Sequence, residues 1–438
     1  MSIQLTAFQP RPVPQDSYLF SPRAAWFAYA MTLGLMIMDY VDRQVIVSLF
    51  PHMKAEWGLS DTQLGALVSI VSVTVALGAL PIALFADRAS RVRSIVAMAV
   101  VWSMATISCM FTRGYQGLLV ARGAVGLGEA GYGSVGAALI ASHFPARLRG
   151  ALMAGFFASA SVGSVVGVML GGLIAARWGW QSAFGLVGVP GLVLALLYLR
   201  VRDYRTVALT PTLDQATRSV GGVTRHIWRA LTRPTTMLYV CLGAAAQLVV
   251  VSSLWSWLPS FLNRVHGIPP DQAGVRAALV VLCGAVGSVA WGALVDRAGN
   301  QRPRNKLLAM AGLCLLSMVT LSLPFAAPAL GWALSPQTQF GLIAAGSFVV
   351  TCTVGPVSAV VIDVIHPGVR ATGSSVLALF QNLFGLAAGP LVAGMLSDAF
   401  GLTVALAITP LFSILAAIAF VRAARTYESD AARAADPY

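Results

Sequence analysis

Apolar residues in this chain do not alternate with polar ones. They come in solid blocks of about twenty or more, separated by short polar segments carrying glycine, proline and arginine. A helix of about 20 apolar residues spans the roughly 30 Å hydrocarbon core of a bilayer. A barrel strand would instead show alternation over about ten residues. The pattern predicts an all-α integral membrane protein with twelve transmembrane helices, near 24–50, 61–86, 94–112, 116–143, 150–175, 180–201, 234–262, 273–295, 305–324, 338–362, 371–396 and 401–422. One interruption is long, polar and basic, at 202–233. The expected organisation is an N-terminal tail (1–23), a six-helix bundle (24–201), a linker (202–233), a second six-helix bundle (234–422) and a C-terminal tail (423–438). The two bundles are expected to be related by a pseudo-two-fold axis.

Composition agrees. Of the 438 residues, 57% are hydrophobic and 10% charged, against about 25% charged in a soluble domain. That excludes a soluble enzyme, a disordered chain and a disulfide scaffold. The five cysteines (Cys109, Cys241, Cys283, Cys314, Cys352) are isolated, with no paired-cysteine or histidine motif, so neither structural metal nor a disulfide framework is expected. No cofactor is implied, and no cleaved signal peptide is read in the polar first twenty residues.

The net charge of +13 changes meaning once it is mapped. With the N-terminus in the cytoplasm, most of the 29 lysines and arginines fall on that side. They sit in the tail, in the loops around Arg88–Arg93, Arg147–Arg149 and Arg297–Lys306, in the linker, and after the last span. Lys54, Arg113, Arg177, Arg264 and Arg276 fall opposite. This positive-inside asymmetry places both termini in the cytoplasm, in the inner membrane if the source is bacterial, and removes any need for a nucleic-acid partner.

Ionisable residues within spans are costly and mark function by default. Asp39, Asp42 and Arg43 lie in the first span, and Arg122 and Glu129 in the fourth. Their three- and four-residue spacings, and the seven between Arg122 and Glu129, put each set on one helix face. At about 1.5 Å per residue, Arg122 and Asp42 lie about 9 and 12 Å from the outer ends of their spans. Asp39 and Glu129 lie about 16 and 20 Å deep. The set holds three carboxylates and two guanidinium groups, so one carboxylate lacks a partner. An unpaired carboxylate in low dielectric favours its protonated form, as proton coupling requires. Glu129 is the leading candidate, being deepest and, by this depth count, farthest from Arg43. Asp42 is second, restrained by Arg122, and Asp39 either pairs with Arg43 or faces the interface. A static ion-pair network that only fixes packing is the alternative.

A weak internal repeat supports the two halves. The second span ends in Ala86-Asp87-Arg88-Ala89-Ser90-Arg91, and the eighth ends in Gly292 to Asp296-Arg297-Ala298-Gly299. These resemble the loop signature of the major facilitator superfamily, although Ala83 and Ser90 replace its glycines. The resemblance covers nearly the whole chain. It implies a carrier working by alternating access, and a gating latch formed by Asp87, Arg88, Arg91, Asp296 and Arg297. Arg122-Gly123 through Gly126-Leu-Gly128 resembles the same superfamily's fourth-helix motif. Gly163 to Gly171-Gly172 resembles its antiporter motif, with Val168 in place of proline, and favours export. More narrowly, Tyr40-Val-Asp42-Arg43 with Gly128-Glu129-Ala-Gly131-Tyr132 resembles the Spinster group, whose resemblance implies lysolipid- or sphingolipid-like cargo and, in bacterial members, proton linkage.

Carriers of this kind bind near the midplane between halves. The expected cavity residues are Tyr40, Tyr132, Gln247, Ser253, Trp255, Phe380, Gln381, Asn382 and Phe384, an ionic wall facing an aromatic one, with Ser252 and Trp257 nearby. The tryptophans could equally form an interfacial belt. The partners expected are a small amphipathic substrate, protons and the lipid bilayer, in a monomer. Two other readings stay open: a drug or organic-anion exchanger, and a membrane sensor built on a transporter fold. No nucleophile–base set or nucleotide loop suggests an enzyme.

Overall fold

The computed structural model describes residues 18–88, 90–203, 235–300, 302–328, 330–332, 334–365 and 370–435. The expected linker, from residue 204 to its end, and most of the N-terminal tail lie outside them.

Among the described residues the chain is helical throughout. Eleven helical stretches are long and apolar enough to cross a membrane. In order, the helices are α1 (Pro22–Val45), α2 (Phe50–Trp57), α3 (Asp61–Arg88), α4 (Arg91–Cys109), α5 (Tyr115–Glu129), α6 (Tyr132–His143), α7 (Ala146–Trp178) and α8 (Trp180–Tyr198). After the linker come α9 (Thr235–His266), α10 (Pro270–Gly299), α11 (Asn305–Ala326), α12 (Pro336–Val350), α13 (Pro356–Asp363) and α14 (Arg370–Phe380). A π-helical turn (Gln381–Leu386), α15 (Ala388–Phe400), α16 (Leu402–Ile408) and α17 (Phe412–Ala435) complete the chain.

Local chemistry sets the starts. Ser21 caps α1 with Pro22 following, Ser90 caps α4 through the Arg93 amide, and Ser335 caps α12 ahead of Pro336. These satisfy amides that a helix start would leave orphaned. Large apolar side chains stand out from the helices, Val120 at 73% and Val289 at 74% exposure among them. Exposed apolar surface on this scale suits lipid rather than water.

Three elements differ from expectation. The fourth span is not continuous: α5 stops at Glu129 and α6 starts at Tyr132, with Gly131 at φ +86° between them. The tenth span is split into α12 and α13 by a turn over 351–355, closed by Gly355-Pro356. It is therefore absent from the eleven long stretches. The last helix runs beyond 422 to Ala435. There Asp430 Oδ2 accepts the Thr236 amide of α9 (3.0 Å) and Tyr427 donates to Asp363 Oδ2 (2.7 Å). Those bonds give Thr426–Asp430 a packed role that composition alone did not suggest.

Helices of the two halves of the chain meet at the end where α3 begins. Gly65 and Gly394 let α3 and α15 approach backbone to backbone, at Pro390 and Asp61 respectively. Gly172 and Gly274 do the same for α7 and α10, where a Cβ on Gly172 would lie 2.6 Å from the Pro270 carbonyl. Small residues permit this closeness between membrane helices.

Candidate functional site

The five intramembrane charges come together. All four acidic or fully enclosed members, Asp39, Asp42, Glu129 and Arg122, are buried, and Arg122 is wholly so. Arg43 Nε donates to Asp39 Oδ1 at 2.9 Å, one turn back on α1, and lies 2.9 Å from Glu129 Oε2. Its guanidinium also stands over the Tyr40 ring at 5.3 Å. Arg122 Nη1 reaches the Asp42 carbonyl (3.2 Å) and Asp42 Oδ1 (3.3 Å). Thr106, from α4, donates its hydroxyl to Asp42 Oδ2.

The two groups are unequally satisfied. Asp42 has a guanidinium on one oxygen and a hydroxyl on the other. Asp39 takes the Nε–H of Arg43. Glu129 is in ionic contact with that same nitrogen, but among the described residues neither of its carboxylate oxygens has a hydrogen-bond partner. Arg122 Nε and Nη2 are likewise without one. Burial of a charged group without hydrogen bonds is strongly unfavourable, so this cluster carries a cost that packing alone does not explain.

The depth count put Glu129 farthest from Arg43, and the structure corrects it: the two are in contact. Counting along each span ignored how closely the helices approach. Gly126 lies against Val71 and Thr74 of α3, and a Cβ on Gly128 would sit 2.5 Å from the Trp102 backbone nitrogen of α4. These glycines let α5 press inward and carry Glu129 to α1. The Glu129 position at the last turn of α5 follows from the break at Gly131.

At the end where α3 begins, a second polar cluster joins the halves, and sequence reasoning missed it. Asp61 accepts two bonds from Arg264 (Nη1–Oδ2 2.7 Å, Nη2–Oδ1 2.9 Å), one from Lys54 (2.6 Å) and one from Ser397 (2.5 Å). In return Asp398 of α15 accepts the amides of Asp61 and Thr62 (both 2.8 Å) and the Thr62 hydroxyl (2.7 Å), capping α3 from the other half. Trp257 is fully buried here, donating to the Pro390 carbonyl (3.0 Å) and packing on Phe50. It belongs to this closure and not to an interfacial belt. Nothing in the local sequence links residues more than 200 positions apart. The visible signal was a capping-type Ser60-Asp61 start and an aspartate at the end of the eleventh span.

The opposite end differs. Asp296 is exposed, and Lys306 of its own half lies 3.9 Å from its Oδ1. Arg297 is exposed, and Arg91 Nη1 approaches Ser142 Oγ of α6 at 3.4 Å. Asp87 and Arg88 form the last turn of α3, with side chains outside the described set. The contacts described for Asp296 and Arg91 at this end lie within their own halves.

The expected cavity residues divide. Tyr132 is fully buried between Trp102 and Phe156, its hydroxyl donating to the Thr32 carbonyl (2.6 Å). Gln247 Nε2 donates to Ser317 and to the Val350 carbonyl freed at the α12 break, both at 3.0 Å. Ser253 donates to Gly389 O (2.9 Å). These three hold helices together. Trp255 is half-buried, with Ser347 3.4 Å from its Nε1. Tyr40 is half-buried beside Arg43. Phe380 pairs with Phe384 at 5.3 Å, and Gln381, Asn382 and Phe384 occupy the π-helical turn, a feature common at functional sites.

The sequence profile of the Major Facilitator Superfamily matches residues 32–388. The chain belongs to that superfamily. Among relatives, it is 29% identical to a protein of Mycolicibacterium smegmatis named "MFS-type efflux pump", over 86% of this chain and 85% of that one. It is 25% identical to human "Protein spinster homolog 3", over 89% of this chain and 78% of the relative. In fold it matches the crystal structure of a bacterial homolog to the human lysosomal transporter Spinster in its inward-facing, occupied conformation. There the TM-score is 0.82 and the identity 24%, over 94% of this chain and 99% of the other. This is a multi-pass membrane transporter of the superfamily, Spinster-like in sequence and fold, and not an enzyme.

Proposed function

We propose that this superfamily member is a proton-coupled secondary transporter that exports amphipathic, lipid-like organic molecules by alternating access. In this reading twelve spans form two six-helix bundles, the tenth span counted across its break. The ends bearing Arg91 and Asp296 face the cytoplasm, so the Asp61–Arg264 end is outer. With that end joined, the carrier is closed to the outside and the chain is inward-facing.

The observation that supports proton coupling is Glu129: a buried carboxylate in contact with Arg43 and yet, among the described residues, without a hydrogen bond, in a cluster with one negative charge beyond neutrality. One proton on that carboxylate removes the excess and releases Arg43 to Asp39 alone. Each pH unit of gradient supplies about 1.4 kcal/mol per proton, and each 100 mV about 2.3 kcal/mol per charge. The efflux-pump relative and the Spinster-like fold support an amphipathic cargo and an outward direction.

The test is reconstitution in liposomes with an imposed pH gradient and a labelled lysophospholipid. Gradient-driven movement that survives in the Glu129→Gln and Asp42→Asn double variant would remove the proton role. A second reading, organic-anion exchange, draws on Arg43, whose side chain keeps 15% exposure and can meet an anionic head group. Thermal stabilisation by small carboxylates but not by lysolipids would favour it.

A further inference from the structure

The break in the fourth span sits two residues from the carboxylate of interest. Glu129 is the last residue of α5, Ala130 is extended, and Gly131 has φ +86°, a region that costs other L-residues roughly 1–2 kcal/mol. The two sides of the break are held differently. On the α5 side, Gly126 and Gly128 lock the helix to α3 and α4 through backbone contacts. On the other side, α6 leads away to the cytoplasmic loops and is held through side chains: Val135, Leu139 and Ile140 are buried, and Gly136 lies against the Phe156 and Thr32 side chains. Its far end touches the latch loop through Ser142 and Arg91 (3.4 Å), and the N-terminal segment through Leu19 N to His143 O (3.2 Å). α6 is 12 residues long, about 18 Å. A bend of about 15° at Gly131 would move its far end by about 5 Å.

We infer that Gly131 is a positioning residue: the hinge through which the charge state of Glu129 shifts α6 and, with it, the Arg91 latch loop. This inference rests on the proton reading of Glu129 given above. The charge acts at the C-terminal end of α5, where the helix dipole presents its negative pole. An ionised Glu129 is repelled there and held only by Arg43. Once neutral, it loses that tether, and the chain beyond Ala130 can shift against the side-chain contacts that hold α6. The charged and titratable groups facing Glu129 are Arg43, Asp39, Asp42 and Tyr40 on α1, and Arg122 on its own helix. On α6, Tyr132 follows the hinge directly, its hydroxyl engaged by Thr32, which also bonds Tyr198 of α8 (2.8 Å). α6 therefore pivots about Tyr132, close to the hinge.

The experiment is hydrogen–deuterium exchange of the full-length protein in lipid nanodiscs at one pH, read on peptides covering 132–145. Glu129→Gln, which mimics the neutral acid, is expected to change uptake there at least threefold while leaving the start of α5 unchanged. In the Gly131→Ala background that response should vanish, because alanine resists the left-handed conformation and favours a straight helix. In Gly131→Asn it should return, since asparagine tolerates that conformation. Gradient-driven transport should follow the same order, with Gly131→Ala slowed about tenfold or more and Gly131→Asn close to the parent. If α6 does not respond to Glu129→Gln, or responds equally with alanine at 131, the hinge is wrong. If Glu129→Gln abolishes gradient-driven transport while α6 stays still, the hinge falls and the proton reading stands. If transport still follows the gradient in Glu129→Gln, it is the proton role of Glu129 that falls.

Discussion

Asp61 and Arg264, 203 positions apart, form a two-pronged ion pair that ties the start of α3 to the end of α9. Their neighbours return the contact, with Asp398 capping the α3 amides while Ser397 bonds the Asp61 carboxylate. The carboxylates thus cross the seam in both directions. Planar two-bond recognition of this kind fixes geometry as well as adding energy. The other seam, between α7 and α10, is closed by the glycine contacts at Gly172 and Gly274. The Asp61 side of the closure is therefore the one whose opening depends on charge.

Arg264→Gln combined with Asp398→Ala should shift the protein toward opening at this end. Arg264 is partly exposed, at 24%, so the effect is expected at about tenfold in the closed-to-open ratio, about 1.4 kcal/mol. Spin labels at Arg113 and Trp332, in a background with the native cysteines replaced, would read it. A longer-distance population should grow in the double variant and, to a smaller extent, at high salt in the parent. An unchanged distribution would show that apolar packing alone keeps this end shut.

Thr106 was not singled out by sequence, yet it satisfies one oxygen of Asp42. Thr106→Val keeps the shape and removes the donor, leaving a buried carboxylate oxygen unmet. The expected cost is about 1–3 kcal/mol, visible as a lower midpoint of thermal unfolding in detergent. Thr106→Ser should retain most of the stability. Equal losses in both would point to packing of the threonine methyl.

Much of this architecture was legible beforehand, for identifiable reasons. Membrane spans are long, apolar and locally determined, so most ends were placed within a few residues. Asp39, Asp42, Arg43, Arg122 and Glu129 stood out because charge is rare in such blocks. What sequence could not supply was lateral approach. Glu129 touches Arg43 because Gly126 and Gly128 remove side chains between helices, and a depth count along the axes is blind to that. The break at Gly131 was hidden because Gly128-Glu129-Ala130-Gly131 reads as small-residue packing. Gln247 and Tyr132 looked like cavity residues by polarity, but tertiary contacts claim their polar atoms. The Asp61–Arg264 closure needed three dimensions outright.

Gly128 itself tests the lateral argument. A methyl group there would sit 2.5 Å from the Trp102 backbone nitrogen, and backbone cannot yield as a side-chain tip does. Gly128→Ala should cost about 1–3 kcal/mol by overpacking and push α5 away from α4. Gly133→Ala, where open space surrounds the position, should be close to neutral. Thermal unfolding of the two variants side by side is the measurement. Similar midpoints would mean that the α4–α5 approach is looser than the backbone contact implies.

Arg43 holds two carboxylates, and its removal should destabilise the fold. In Arg43→Gln, Asp39 and Glu129 remain buried while the guanidinium both contact is gone. Two buried carboxylates left without that partner repel each other and lack solvation. The expected cost is about 3–5 kcal/mol, visible as a lower unfolding midpoint in detergent. Adding Asp39→Asn or Glu129→Gln to Arg43→Gln should recover part of the loss, since each removes one of the two opposed charges. If the second substitution recovers nothing, Asp39 and Glu129 do not share Arg43 energetically, whatever their distances.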